Sequence, residues 1–211
     1  MRLSKNLIIL SFFFAPTLAF SQGALLDDGE SGGGFLAGTA LSSEGSFFHG
    51  GAIATLSGRL DIGALVSREL FDKYNYKATA LGVWAEFYGL REDLSNKIPL
   101  SMSISYQVSG TSSRSFATFG MSIYKRVGES RRSFIQPALS FFYTLPTRGL
   151  HTSALGFGLG ISVVSRISRS AVFSFTPTFV NIHDEKSGGI TFGLMFSDAN
   201  RKKARTRKFE F

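Results

Sequence analysis

The segment TSALGFGLGISVV, residues 152–164, carries glycine at positions 156, 158 and 160. A dinucleotide-binding loop needs the pattern G-x-G-x-x-G between a strand and a helix, whereas position 161 is isoleucine and no helical pattern follows. An unbroken apolar face alternates with the glycines instead, formed by Leu155, Phe157, Leu159, Ile161 and Val163. Alternation at period two predicts a β-strand with one apolar and one small face. The glycines therefore indicate one side of a strand, and no phosphate site.

The same alternation recurs along the chain, in PLSMSISYQVS (99–109), SFATFGMSIYKR (115–126), SAVFSFTPTFV (170–180) and GGITFGLMFS (188–197). The polar faces are built from Ser, Thr, Gly and Gln, whereas water-facing strands usually carry more charge. Small uncharged side chains suit a narrow enclosed interior, and broad Phe, Leu and Ile faces suit hydrocarbon. Past the N-terminal 21 residues, no segment is apolar for the roughly 20 residues that a spanning helix needs.

These patterns predict an all-β fold, an up-and-down antiparallel transmembrane β-barrel of about ten strands, with eight as the alternative. The predicted strands are 34–42, 47–56, 59–70, 77–89, 98–109, 115–126, 133–145, 153–164, 171–181 and 188–197. The first is the least clearly patterned. Pro137 and Pro177 fall inside predicted strands, where a missing N–H interrupts the hydrogen-bond ladder, so we expect a bulge or a kink at each.

The clearest turn is Ser57-Gly58, which predicts a two-residue hairpin loop. This loop would place Thr55 opposite Leu60 and Ile53 opposite Ile62, all facing lipid, and Ala54 opposite Asp61 in the lumen. An even strand count puts both termini in the periplasm. The outer loops, expected near 43–46, 71–76, 110–114, 146–152 and 182–187, are then all short.

The N-terminal sequence MRLSKNLIILSFFFAPTLAFSQG has the cationic start, apolar run and small residues of a secretory signal peptide. We predict a signal peptide over 1–21, a flexible lead-in over 22–33, the barrel over 34–197 and a basic tail over 198–211. The chain contains no cysteine, which excludes a disulfide framework and a thiolate zinc site. We expect no cofactor, no metal site and no catalytic residue.

With its signal peptide, amphipathic strands, tyrosines near strand ends and terminal Phe211, the chain resembles the small bacterial outer-membrane β-barrel proteins. The resemblance implies a monomer in outer-membrane lipid. It also implies that Phe211 is read by the machinery that inserts such barrels. Arg207, Arg205 and Lys203 depart from the apolar pattern expected before that residue, so we expect 188–197 to close the barrel and the tail to lie in the periplasm.

Two sets of residues are candidates for particular positions in the barrel. Scattered polar residues on the small faces are expected to line the lumen, where the charged ones would pair across a narrow interior; they are Asp61, Glu69, Glu86, Gln107, Arg126 and Gln136. Tyrosines near predicted strand ends are expected at the membrane interface; they are Tyr88, Tyr106, Tyr124 and Tyr143.

These features favour a non-enzymatic outer-membrane barrel, either structural or a narrow, weakly conducting pore. One alternative is an outer-membrane hydrolase or acyltransferase, since His151 and His183 fall in predicted outer loops and Asp184, Glu185 and Ser187 adjoin His183. His49 lies on a predicted strand, where packing is the simpler role. A soluble periplasmic lipocalin-like barrel is the other alternative. The formal net charge of +8 is partly terminal in an exported chain, which argues against nucleic acid as a partner.

Overall fold

The chain forms a single closed sheet. This computed structural model describes residues 25–42, 45–71, 76–92, 100–112, 114–128, 133–148, 153–182 and 185–198. The ten strands are β1 (Gly32–Ser42), β2 (Ser46–Leu56), β3 (Leu60–Phe71), β4 (Tyr76–Leu90), β5 (Ser101–Gly110), β6 (Ser115–Tyr124), β7 (Ser133–Arg148), β8 (Ala154–Arg166), β9 (Ala171–Ile182) and β10 (Glu185–Ser197). Each strand pairs antiparallel with its sequence neighbours, and β1 pairs with β10. The prediction of an up-and-down barrel of ten strands is confirmed.

Apolar side chains cover the outside of the barrel, as the alternation predicts. Leu155, Leu81 and Phe35 are each about two-thirds exposed, at 68%, 66% and 65%. Residues of the opposite parity are buried inside, among them Ser162, Ser174 and Thr176 at 0% exposure. Gly156 faces inward, where a Cβ would overlap the Phe142 ring and approach Ile182 Cγ1 at 2.7 Å. Gly156 therefore gives room to the Phe142 side chain inside the lumen.

The hairpin between β2 and β3 differs from the prediction by one residue. Ser57 and Gly58 both have positive φ, 54° and 62°, and the Arg59 amide donates to the Leu56 carbonyl at 3.0 Å. Arg59 is nevertheless a third loop residue, because Leu56 pairs with Leu60 and Thr55 pairs with Asp61.

A register shift of one residue exchanges the two faces of a strand. Thr55 and Ile53 are therefore buried inside the barrel and Ala54 is exposed outside, so the predicted faces of β2 were wrong. The predicted faces of β3 are correct, with Asp61 inside and Ile62 outside.

The two prolines interrupt hydrogen-bonded ladders without breaking the barrel. Pro137 accepts a hydrogen bond from the Lys125 amide at 3.2 Å but has no N–H to return, and β6 ends one residue earlier, at Tyr124. At Pro177 the β8–β9 pairing passes directly from Gly160↔Thr178 to Val163↔Phe175.

The two ends of the barrel are unlike. At the end that holds the described termini, here called the terminal end, Asp198 and Ser31 are hydrogen-bonded. Connections at the opposite end, here called the far end, are two to five residues long, whereas those at the terminal end are three to ten. Among the described residues no helix has the length and apolarity to cross a membrane.

Candidate functional site

The most extensive site joins the N-terminal segment to the terminal end of the barrel. Residues 25–31, here called the plug, precede β1. Leu25 and Leu26 are buried, at 4% and 1% exposure, in one apolar cluster. The other members of this cluster are Leu36, Ile53, Leu65, Trp84, Val164, Val172 and Met195. Burying a leucine side chain stabilises by about 1.5–3 kcal/mol, so the two leucines hold the plug inside the barrel.

Carboxylates of the plug bind arginines of the barrel wall. Asp27 accepts from Arg126 Nη1 at 2.8 Å and from Arg166 Nη2 at 3.4 Å, and Arg166 Nη2 also lies 2.8 Å from Glu30 Oε2. Asp28 Oδ1 pairs with Arg59 Nε at 2.8 Å in a more exposed position. Charge-assisted hydrogen bonds are stronger than neutral ones, so these pairs fix the plug against β8 and the β6–β7 and β2–β3 connections.

Backbone atoms of the plug are held as well. The Arg91 guanidinium donates to the carbonyls of Leu26, at 2.9 Å, and Gly58. The Ser31 amide donates to Asp198 Oδ1 at 2.9 Å, and the Asp198 amide donates to the Ser31 carbonyl at 2.8 Å. Residues 25–31 were predicted within a flexible lead-in; they instead pack into the barrel because two leucines and three carboxylates find partners there.

Two acidic residues lie inside the barrel near the plug. Asp61 on β3 and Glu86 on β4 are cross-strand partners, and both are buried. The Tyr88 hydroxyl donates to Asp61 Oδ2 at 2.8 Å, and Ser103 Oγ donates to Glu86 Oε1 at 2.5 Å. These carboxylates are therefore hydrogen-bonded by hydroxyl groups. Arg126, the cation expected to pair with lumen acids, binds the plug instead.

The tyrosines predicted at the membrane interface divide into two pairs. Tyr88 and Tyr124 are buried inside the barrel, with ring centroids 5.9 Å apart in a T-shaped contact, so their predicted position was wrong. Both share the strand parity of inward-facing residues, and that parity decides their side. Tyr106 and Tyr143 are exposed outside and lie in one row with Phe119, whose ring is 4.9 Å from that of Tyr106.

The middle of the lumen is filled by uncharged polar side chains. Hydroxyl pairs cross neighbouring strands, at 2.9 Å for Thr118 and Thr144 and 2.8 Å for Ser122 and Ser140. Gln107 and Gln136 are fully buried, and their amide atoms have no hydrogen-bond partner among the described residues. A buried amide usually has a partner in protein or ordered water. Water in the lumen beside Gln107 and Gln136 would supply the hydrogen-bond partners that their amides need.

Apolar side chains close the far end. Phe142, Ala154, Val180 and Ile182 form a buried cluster there. Phe47 and Phe116 are also buried, at 2% and 1% exposure, as is the inward-facing Glu69. The interior thus has an apolar layer at each end and a polar layer between them. Of the six predicted lumen residues, the structure buries Asp61, Glu69, Glu86, Gln107 and Gln136 inside, and places Arg126 beyond the end of β6, against the plug.

Most of the candidate catalytic residues around the histidines lie outside the part of the chain that the structure describes. His151, His183 and Asp184 lie outside the described residues, as does the Glu185 side chain, while Ser187 is buried inside the barrel. His49 faces inward on β2: its ring lies over Gly38, where a Cβ would lie 2.5 Å from His49 Cε1, and His49 Nε2 is 3.3 Å from Thr191 Oγ1 on β10. The described part of the chain contains no group of three or more His, Asp or Glu residues that could hold a metal ion.

Comparison with known proteins gives matches in structure only. No protein-family model and no curated protein matches the chain. The KdgM porin in complex with disordered oligogalacturonate is 7% identical over 77% of this chain and 98% of its own, with a TM-score of 0.45. The beta domain of the Bordetella autotransporter BrkA is 10% identical over 81% and 100%, with a TM-score of 0.44. The outer membrane protease OmpT from Escherichia coli is 9% identical over 80% and 96%, with a TM-score of 0.39.

These are bacterial outer-membrane β-barrel proteins. The chain has an outer-membrane-type barrel fold. Its own closed sheet, apolar exterior and polar interior establish this.

The sequence interpretation missed the plug, although two signals for it were present. Leu25 and Leu26 are adjacent apolar residues in an otherwise polar lead-in, and Asp27, Asp28 and Glu30 match the basic residues that follow several strands. A segment with two adjacent leucines and several acidic residues is expected to pack against the basic terminal end of the barrel and not to stay in water.

Proposed function

We propose that this protein is a non-enzymatic structural barrel of the bacterial outer membrane, whose lumen is closed by its own side chains. The observation that carries the proposal is the filled interior: Leu25 and Leu26 of the plug, the polar side chains of the middle layer and the aromatic residues at the far end are all buried. A conducting barrel needs a continuous wet path, and a ten-stranded interior is narrow enough for side chains to remove it.

The exterior supports a position within a membrane. Exposed large apolar side chains occur on all ten strands, including Phe48 on β2, Val83 on β4 and Phe192 on β10. In water such a surface would promote aggregation, whereas in lipid it is favourable and the closed sheet leaves no unpaired edge. With both described termini at one end, that end faces the periplasm and the short far-end connections face outward.

Conductance of the refolded protein in a planar bilayer tests this proposal. We expect no steady ionic current from the wild type, because buried side chains of the described residues fill both ends of the lumen. A matched variant in which Leu25, Leu26, Phe47, Phe116 and Phe142 are replaced by alanine weakens the apolar layers at both ends and should raise the current if the protein is inserted. Steady conductance of the wild type, or fractionation of the protein away from the outer membrane, would contradict the proposal.

A narrow water-permeable pore is the second candidate, and the buried amides of Gln107 and Gln136 favour it. Water that satisfies these amides could exchange through the polar layer without carrying ions. The measurement is osmotic shrinkage of proteoliposomes. A water flux above that of protein-free vesicles, which is lost in Gln107→Leu and Gln136→Leu, would support the pore. A flux equal to that of protein-free vesicles would exclude the pore and favour the structural role.

A further inference from the structure

Two cations lie side by side on the outer surface of the barrel. Arg68 on β3 and Lys77 on β4 are both exposed and have the parity of the outward-facing residues. Arg68 pairs in register with Thr79, and Leu70 pairs with Lys77, so the two cations are diagonal neighbours on one face of adjacent strands. Arg68 Nη1 donates to Thr79 Oγ1 at 2.8 Å, which orients the guanidinium along the surface.

Both cations lie near the far end of the barrel. Arg68 is three residues before the end of β3 at Phe71, and Lys77 is the second residue of β4. Toward the middle of the barrel, the same face presents the exposed apolar side chains Val66, Leu81 and Val83. A cationic pair therefore adjoins an apolar surface of the kind that acyl chains cover.

Among the far-end side chains that the structure describes, the exposed charged ones are all basic. Arg148 at the end of β7 and Lys186 at the start of β10 are also exposed. Among far-end carboxylates whose side chains the structure describes, Glu69 is buried and faces inward, and no carboxylate pairs with Arg68 or Lys77. A basic side chain on a lipid-facing strand is costly at the bilayer midplane, and the cost falls steeply toward the interface. An anionic lipid headgroup would offset the remaining cost.

We propose that Arg68 and Lys77 bind a phosphate group of an outer-leaflet phosphoglycolipid, whose acyl chains lie over Val66, Leu81 and Val83. The inference rests on the proposed membrane position and orientation. Arginine recognises phosphate with paired N–H groups, and lysine adds a compact positive charge. The Thr79 hydroxyl acts as a positioning group because it holds the arginine before the lipid arrives.

Lipid-dependent stabilisation tests the site. The full chain is purified in detergent, and its thermal midpoint is measured against increasing bis-phosphorylated lipid A. We expect the double variant R68Q/K77Q to need about tenfold or more lipid for the same shift, since each surface cation contributes about 1 kcal/mol toward anionic lipid. The matched control is K125Q/R169Q, which removes two exposed cations from the terminal end and should behave as the wild type.

The probe lipids separate the sources of the anion. Dephosphorylated lipid A and inorganic phosphate should each give no shift at the same concentrations. Equal response of R68Q/K77Q and the wild type, or equal loss in K125Q/R169Q, would overturn the site, and equal response to phosphatidylglycerol would overturn the ligand class. Failure of the proposed function would be seen separately. A protein that is not an outer-membrane barrel would neither show heat-modifiable migration nor fractionate with outer membranes.

Discussion

Glu30 and Arg166 lie 136 residues apart in the sequence, and Arg166 Nη2 donates to Glu30 Oε2 at 2.8 Å in the structure. The same nitrogen reaches Asp27, while a second arginine, Arg126, holds the other oxygen of that aspartate. Arg126 also lies over the Phe134 ring, with its Cζ 4.4 Å from the ring centroid. Two carboxylates of the plug and two arginines of the barrel thus form one charged network across the terminal end.

Replacing Arg166 by glutamine should destabilise the barrel. The Arg166 and Glu30 side chains are only 18% and 15% exposed, and removing one partner leaves a poorly hydrated carboxylate, so we expect a loss of about 1–3 kcal/mol. The matched control is Arg59→Gln, whose pair with Asp28 is 46% exposed at the arginine and should contribute about 0–1 kcal/mol. Urea titration of the reconstituted protein measures both, and equal losses would contradict the network.

Replacing Gly63 by alanine should destabilise the interior near the plug. A Cβ at this position would overlap the six-membered ring of Trp84, which is buried and cannot move freely. Overpacking of this kind costs about 1–3 kcal/mol. Gly158→Ala is the control, because this buried glycine offers ordinary contacts at 3.6 Å and beyond. The midpoint of heat-modifiable migration should fall for Gly63→Ala and remain near the wild-type value for Gly158→Ala.

The fluorescence of the single tryptophan reports which side of the barrel wall it occupies. Trp84 is the one tryptophan in the sequence and is buried inside the barrel. Lipids brominated on their acyl chains should therefore quench it weakly. In the double variant V83W/W84F the indole moves to a position that is 58% exposed on the outside, and quenching should be strong. Stronger quenching of the wild type than of this variant would show that the two faces are reversed.

Removing the Tyr88 hydroxyl should lower stability more than the same change at Tyr106. Tyr88→Phe deprives buried Asp61 of a 2.8 Å hydrogen bond, at a cost of about 1–3 kcal/mol. Tyr106 is 44% exposed on the outside, so Tyr106→Phe should change the free energy of unfolding by less than about 0.5 kcal/mol. Both variants are compared by urea unfolding in the same lipid, and equally small effects would place Tyr88 at the interface, as the sequence alone suggested.

The sequence predicts the strands and most of their faces because each face differs consistently in polarity. By parity alone, Tyr124 lies with Thr118 and Ser122 on the face of β6 that points into the barrel. Its prediction as an interface residue failed because closeness to a strand end was given more weight than parity. On β2 the faces were reversed because Arg59 adds one residue to the loop. Loop length depends on backbone geometry, which the residue types around Ser57-Gly58 do not determine.

The plug could not be placed from strand patterning, because residues 25–31 have no period of their own. Asp27 is joined to partners 99 and 139 residues away. Contacts of such sequence separation are set by closure of the whole sheet, and only the surplus of acid in the segment hints at them. The ion pairs can therefore be recognised only in the closed sheet, in which β1 lies beside β10.

The plug also constrains the order in which the chain can assemble. Asp27 is near the start of the described chain, yet its second arginine belongs to β8. Synthesis and export deliver the acidic segment long before this partner exists. The ion pair between Asp27 and Arg166 can therefore form only after the first eight strands are in place. In a chain whose folding stops before that point, the plug lacks this contact with the barrel.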